Sequence, residues 1–157
     1  MADLDTLPQL LLKNARDMGD QPGMRKKHLG IWKTYSWSDN ADQVRALSLG
    51  LASVGFGRGD NLGIIGNNLP QLYWAQIAAQ CMGGVPVPVY QDAIAKELAF
   101  VLQHSEVSVI IAEDQEQVDK ILSIRDELPN LKWLIYCDPR GMTDYDEPIL
   151  KSFADLQ

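Results

Sequence analysis

The chain has 157 residues, 46% of them hydrophobic, and a formal charge of -7. That length suits one α/β domain over residues 1–157, able to bury roughly 70% of its unfolded surface. The acidic balance argues against nucleic acid and anionic membrane as electrostatic partners. No apolar run approaches the roughly 20 residues of a membrane span, and the opening MADLDT lacks the apolar segment of a secretion signal.

Thr6, Leu7, Pro8 and Gln9 make a capping box with proline in the first turn, and predict a helix to about Met18. Leu10, Leu11, Ala15 and Met18 fall on one side of it, and Gly19 ends it. Residues 24–28 and 31–35 flank Leu29-Gly30 as a hairpin. The basic cluster Arg25, Lys26 and Lys27 reads as a solvated strand face rather than a phosphate contact. Ser36, with Asp39 three residues on, opens a second helix. Its apolar stripe is Trp37, Ala41, Val44, Leu47, Leu51 and Val54, and Gly55 closes it. The glycines at 55, 57 and 59 follow a helix and precede a strand, the reverse of a dinucleotide fingerprint. Arg58-Gly59-Asp60 is therefore a tight turn rather than an adhesion tripeptide.

Residues 61–66 form a short apolar strand. Asn68 as cap, Pro70 in the first turn and Gln71 as a capping-box partner then start a helix. That helix, from Tyr73 through Met82, is apolar on nearly every side and is expected to be buried. Gly83-Gly84 stops it, and residues 85–90 return as a strand. Pro86 and Pro88 leave one side of that strand without donors, which makes it an edge or bulged strand. Asp92 caps a helix with Ile94, Leu98, Val101 and Leu102 on one face, and residues 107–112 are a β-branched strand. Asp114 and Gln117 make a further capping box, with Val118, Ile121, Leu122 and Leu128 facing inward until Pro129. Residues 131–136 form another strand, Asp138-Pro139-Arg140-Gly141 is a turn, and the acidic remainder has a helical start near Leu150. The order βαβαβαβ, preceded by helix, hairpin and helix, implies an α/β fold with a mostly parallel sheet flanked by helices.

The residues alone name no reaction. Cys81 and Cys137 have no metal-ligand spacing and read as reduced thiols of a cytosolic protein. His28 and His104 have no carboxylate or cysteine at catalytic spacing. Glu113, Asp114 and Glu116 are acids at a helix start, where the macrodipole favours them, rather than cation ligands. Trp32, Trp37, Trp74 and Trp133 read as core or half-buried packing. There is no Walker loop, nucleophile elbow or zinc pattern, so no catalytic or metal residue is assigned.

The order of segments, however, resembles the N-terminal portion of AMP-forming acyl-CoA synthetases. It runs from Thr34-Tyr35-Ser36-Trp37 through Arg58-Gly59-Asp60-Asn61-Leu62-Gly63-Ile64 to Asn67-Asn68-Leu69-Pro70-Gln71-Leu72-Tyr73. Gly83-Gly84-Val85-Pro86-Val87-Pro88-Val89-Tyr90, Glu97-Leu98-Ala99-Phe100-Val101-Leu102 and His104-Ser105-Glu106 follow in the expected order. Residues 113–120 and 135–141 resemble the bacterial long-chain fatty acid branch in particular. The similarity covers nearly the whole chain. Each segment is weak alone, and their ordered spacing is specific.

The resemblance implies an N-terminal subdomain of a ligase that activates a fatty acid with ATP and Mg2+ to an acyl-adenylate. The acyl group then passes to coenzyme A, with AMP and diphosphate as the other products. It also implies that the phosphate-binding loop with its lysine, the adenine, ribose and magnesium motifs and the mobile C-terminal domain lie outside these residues. The chain alone is therefore expected to bind no cofactor and to be inactive, with fatty acid, ATP and CoA as partners of the longer enzyme. In some relatives the loop matching Tyr90, Gln91 and Asp92 lies near the CoA nucleotide, which makes Tyr90 and Gln91 the candidate cofactor residues. Gln91 and Asp92 stand where the family has glycines, and capping by Asp92 competes with that reading. The expected compartment is cytoplasmic, with a peripheral membrane position open to the longer parent. An apolar face that docks the rest of the ligase, or a second copy, is also expected. A stand-alone α/β binding module that kept the fold without the chemistry is the alternative.

Overall fold

A computed structural model describes residues 6–157; the acidic opening at residues 1–5, read above as no secretion signal, lies outside them. Helix α1 spans Leu7–Asp17, and Thr6 Oγ1 accepts the Gln9 N–H at 3.3 Å. Within it Leu11 is buried, while Leu10 stays exposed. Strands β1 (Pro22–His28) and β2 (Ile31–Ser36) pair antiparallel through Leu29-Gly30, both at positive φ, and form a separate two-stranded sheet. Helix α2 (Trp37–Ser53) starts from the expected reciprocal box: Asp39 N–H donates to Ser36 Oγ at 3.0 Å, and Ser36 N–H to the Asp39 carboxylate at 2.8 Å. Its stripe buries Val44, Leu47 and Leu51.

The main sheet has five parallel strands in the order β4-β3-β5-β6-β7: Val85–Val89, Asn61–Ile65, Val109–Ala112, Trp133–Tyr136 and Leu150–Ser152. Helices cover both faces. On one face α1, α2 and α3 (Pro70–Cys81) pack on Leu62, Ile64, Val109, Ile111 and Ile135. On the other, α4 (Ala95–His104) and α5 (Gln115–Ser123) pack on Ile65, Ile110, Ala112 and Leu134. Alternate residues of one strand feed opposite cores, as a pleated strand requires. Small α3 residues (Ala75, Ala78 and Ala79, all fully buried) let that helix lie close to both α2 and the sheet. β4 is an edge strand, as its prolines require.

Several local expectations give way to tertiary structure. The cap of α3 is Leu69, with no side-chain cap bond, so Asn68 and Gln71 form no capping box and Pro70 alone marks the start. Asp92 is not the cap of α4, which begins after Ile94 because residues 91–93 make a turn first. Asp114 does cap α5, accepting the Gln117 N–H at 3.2 Å, but the buried Gln117 Oε1 has no partner and the box is not reciprocal. Cys81, expected in the most apolar helix, is exposed at its last turn. Trp32 is exposed near the hairpin tip rather than packed. The tail after the Asp138 turn supplies a fifth strand, β7, and then helix α6 (Phe153–Leu156). α6 packs against α2 so closely that a Cβ on Gly50 would lie 1.8 Å from the Leu156 carbonyl oxygen.

Candidate functional site

The chain leaves β3 for β4 on one side, then crosses to β5 on the other. In open parallel sheets the carboxyl ends beside such a reversal are where loops part and ligands bind. Here three loops meet there. After β3 the backbone turns through Gly66 at φ 149, where a Cβ would lie 2.5 Å from Glu113 Cβ and 2.9 Å from Leu72 Cδ1. Only glycine lets the β3 and β5 ends approach this closely.

Glu113 follows β5 directly. Its Oε2 accepts the Asn67 backbone N–H at 2.5 Å and Asn67 Nδ2 at 3.0 Å. Asn67 Oδ1 in turn accepts from Gln91 Nε2 at 2.8 Å. The Gln91 carbonyl accepts from Lys120 Nζ of α5 at 2.8 Å, and Lys120 also pairs with Glu116 at 2.9 Å. A continuous polar seam thus fixes the ends of β4, β3 and β5 to one another. Beside it opens a cleft of about 310 Å³ between α3 (Leu72, Tyr73, Gln76) and the end of β4 (Pro88, Tyr90, Gln91), with Asn67 and Asn68 between them. The Tyr90 side chain borders this cleft and is 77% exposed.

The two sequence-predicted cofactor residues therefore share one cleft. Asn67, Glu113 and Lys120, which sequence reasoning did not assign to it, hold Gln91 in place. The cleft offers an aromatic face and uncharged donors and acceptors. Asp92 in its lining and Glu113 in the seam beside it repel phosphates, and the nearby Lys120 amine is already committed to Gln91 and Glu116. A neutral heteroaromatic ring fits such a surface better than a phosphate chain.

The remaining reactive groups lie elsewhere. Past the end of β6, burial and then the Glu113 charge push the Cys137 thiol far above its ordinary pKa, which leaves it a poor nucleophile. Burial also raises Cys81. Arg140 clasps Asp138 through a 2.5 Å ion pair and lowers its carboxyl pKa. His28 and His104 are both exposed, and the His104 ring stacks on Phe100 with centroids 6.2 Å apart. Among the described residues no three His, Cys, Asp or Glu side chains converge as a metal site.

A sequence profile of the family described as AMP-binding enzyme matches residues 12–153. The chain belongs to the AMP-binding enzyme family. Among its relatives, the long-chain-fatty-acid–CoA ligase ACSBG2 of Xenopus laevis is 31% identical over 83% of this chain and 18% of its own length. The long-chain-fatty-acid–CoA ligase FadD15 of Mycobacterium tuberculosis is 27% identical over 90% of this chain and 24% of its own. The chain thus spans about a fifth to a quarter of the curated family members it matches. Solved structures superpose over nearly all of it. Acetoacetyl-CoA synthetase from Streptomyces lividans gives a TM-score of 0.83 at 22% identity, covering 95% of this chain and 24% of that one. The A-PCP didomain of carboxylic acid reductase from Segniliparus rugosus gives 0.83 at 17%, covering 99% and 26%.

Proposed function

We propose that this chain supplies the N-terminal α/β unit of an AMP-forming long-chain fatty acid–CoA ligase. That enzyme joins a fatty acid to coenzyme A using ATP and Mg2+, and releases AMP and diphosphate. The observation that carries the reading is the 31% identity to a long-chain-fatty-acid–CoA ligase across 83% of the chain. The parallel sheet with both faces covered supports it. In this reading residues 1–157 are one scaffolding domain, and adenylation and thioesterification need residues beyond them. Incubated with palmitate, ATP and CoA, the isolated chain releases no pyrophosphate; turnover would overturn this division of labour. An in-frame continuation of the transcript, encoding a Ser/Thr/Gly-rich loop with a lysine, is the expected genetic context, and a stop codon directly after Gln157 counts against it.

Within the same reading, Tyr90 and Gln91 contact the nucleotide of CoA through its base, with the phosphates held away from Asp92 and Glu113. Support comes from the exposed Tyr90 ring beside a cleft whose nearby lysine is already paired. Tyr90→Ala in a longer ligase carrying this segment weakens CoA binding by about tenfold, in line with the loss of one aromatic–base stack; unchanged affinity removes the assignment. The proposed compartment is the cytoplasm. No helix among the described residues is long and apolar enough to cross a membrane. Ile94, Phe100 and Val101 of the α4 segment are exposed apolar side chains that the rest of the ligase, or a second copy, would cover.

A further inference from the structure

The β1–β2 hairpin pairs with no strand of the main sheet. Residues 22–36 hold Arg25, Lys26, Lys27 and Lys33 and no acid. Four positive charges taken from a total of -7 leave -11 on the rest of the chain. The acidic average argues against anionic surfaces, but it does not describe this element. Screening confines a surface charge's influence to roughly 10 Å, so a ligand meeting the hairpin senses the local cluster.

The register sorts the side chains. Lys27 opposite Trp32 and Arg25 opposite Thr34 occupy one face. Met24 opposite Tyr35 and Lys26 opposite Lys33 occupy the other, and the Tyr35 ring meets Trp74 edge-on at 5.2 Å, which roots that face on the body. At the tip Leu29 is 89%, Ile31 75% and Trp32 63% exposed. Leu29 also sits at φ 47, a left-handed turn position that ordinarily takes asparagine or glycine. A large aliphatic side chain there is strained locally and buries nothing in the fold. Lys27 Nζ lies 5.9 Å from the Trp32 ring centroid, so ammonium and indole stand at nearly one level.

We propose that this hairpin is an interfacial anchor for an anionic lipid bilayer. Leu29, Ile31 and Trp32 enter the headgroup region while Arg25 and Lys27 meet lipid phosphates; Lys33, on the face rooted on the body, keeps its ammonium 4.9 Å from the Tyr35 ring centroid. Indole rings favour that boundary, and lysine stems lie along apolar surface while their ammonium groups stay with the phosphates. Three apolar side chains and two cations give reversible attachment rather than insertion. Leu29 and Ile31, either side of Gly30 at the tip, favour hydrocarbon over nucleic acid, which would use stacking rings there. The proposal does not depend on the ligase reading.

The test is cosedimentation of the 157-residue chain with phosphatidylcholine vesicles, with and without phosphatidylglycerol. Binding is expected only with phosphatidylglycerol, and it weakens as salt rises. Arg25→Gln with Lys27→Gln lowers the partition coefficient by roughly 25-fold, about fivefold for each charge. The triple variant Leu29→Asn, Ile31→Thr, Trp32→Thr keeps turn and strand propensity and lowers it by about tenfold or more. In a second readout, brominated lipid quenches tryptophan emission of the unmodified chain, and Trp32→Phe abolishes that quenching because Trp37, Trp74 and Trp133 stay in the body. Absence of phosphatidylglycerol-dependent binding overturns the proposal. So does binding that the tip triple leaves unchanged, or quenching that survives Trp32→Phe. Tip-dependent binding to polyglutamate or an oligonucleotide, with none to vesicles, reassigns the surface to acidic protein or nucleic acid.

Discussion

Asn40 is 5% exposed and sits among the apolar residues of α2. Its two ends are both used: Nδ2 donates to the Ser36 carbonyl at 2.8 Å, and Oδ1 accepts from Trp74 Nε1 at 2.7 Å. It therefore joins the start of α2 to the middle of α3 and satisfies a buried indole. Asn40→Ala would leave that indole N–H without its partner, and such an orphan costs about 1–3 kcal/mol. Urea unfolding should show a loss in this range with an unchanged slope; a loss below about 0.5 kcal/mol would mean that Trp74 finds another acceptor. The sequence carried a trace of this, because position 40 falls three residues after Trp37 and four before Val44, within the buried face. The Asn67–Glu113 bond carried none, since its partners lie 46 positions apart and meet only once the sheet has formed.

At the scale of elements, legibility followed how local the cause was. The α2 cap is written in four consecutive residues, and it formed as read. The α3 start was misread because Asn68 and Gln71 fit a local pattern, while Leu69 takes the extended cap conformation and packs against the core. β7 is three residues long and has no alternation of its own; it exists because β6 offers it an edge. β4 shows the opposite case, a tertiary position declared by two residues. Val85 N–H donates to the Asp60 carbonyl, so Val87 and Val89 likewise face β3, and the ring nitrogens of Pro86 and Pro88 face the open side. That side then lacks donors for another strand, which is how edges avoid pairing between molecules. Pro86→Val with Pro88→Val should keep the fold and promote concentration-dependent association, seen as earlier elution in size exclusion. A monomer at all concentrations would show that the prolines do not guard the edge.

Across the whole molecule, a few ionisable groups make stability depend on pH. The Lys13 hydrogen bond lowers the Asp17 pKa, the Ser36 backbone N–H lowers Asp39, and the Arg140 hydrogen bond lowers Asp138. Each folded value lies below the unfolded one, near 3.9, so the contribution is present above that pH and is lost as acid passes through the folded values. Tyr145 runs the other way. Its hydroxyl donates to Asp119, and its pKa is raised. That contribution is full below the unfolded value of about 10 and is lost as the pH rises through the folded one. Melting temperature should therefore fall on both sides, below about pH 4 and above about pH 10. Tyr145→Phe should lessen the alkaline fall and leave the acid side unchanged; the alkaline fall that remains comes from the Cys137 thiol, which burial holds protonated above its ordinary pKa.

The two cores share a single sheet, and that arrangement predicts how the molecule unfolds. Leu134 and Ile135 are neighbours on β6, both fully buried, yet Leu134 belongs to the α4–α5 side and Ile135 to the α1–α3 side. Replacing either by alanine removes contacts from one core and should cost about 2–5 kcal/mol. Were the layers independent, each substitution would lower the stability of its own layer and split the transition. Because both layers hang on the same backbone ladder between β5 and β6, neither can open without exposing the other. Leu134→Ala and Ile135→Ala should each shift one common transition, with circular dichroism and tryptophan emission coincident. Two resolved transitions, or probes that diverge in either variant, would mean that residues 6–157 hold two cooperative units on one sheet rather than a single domain.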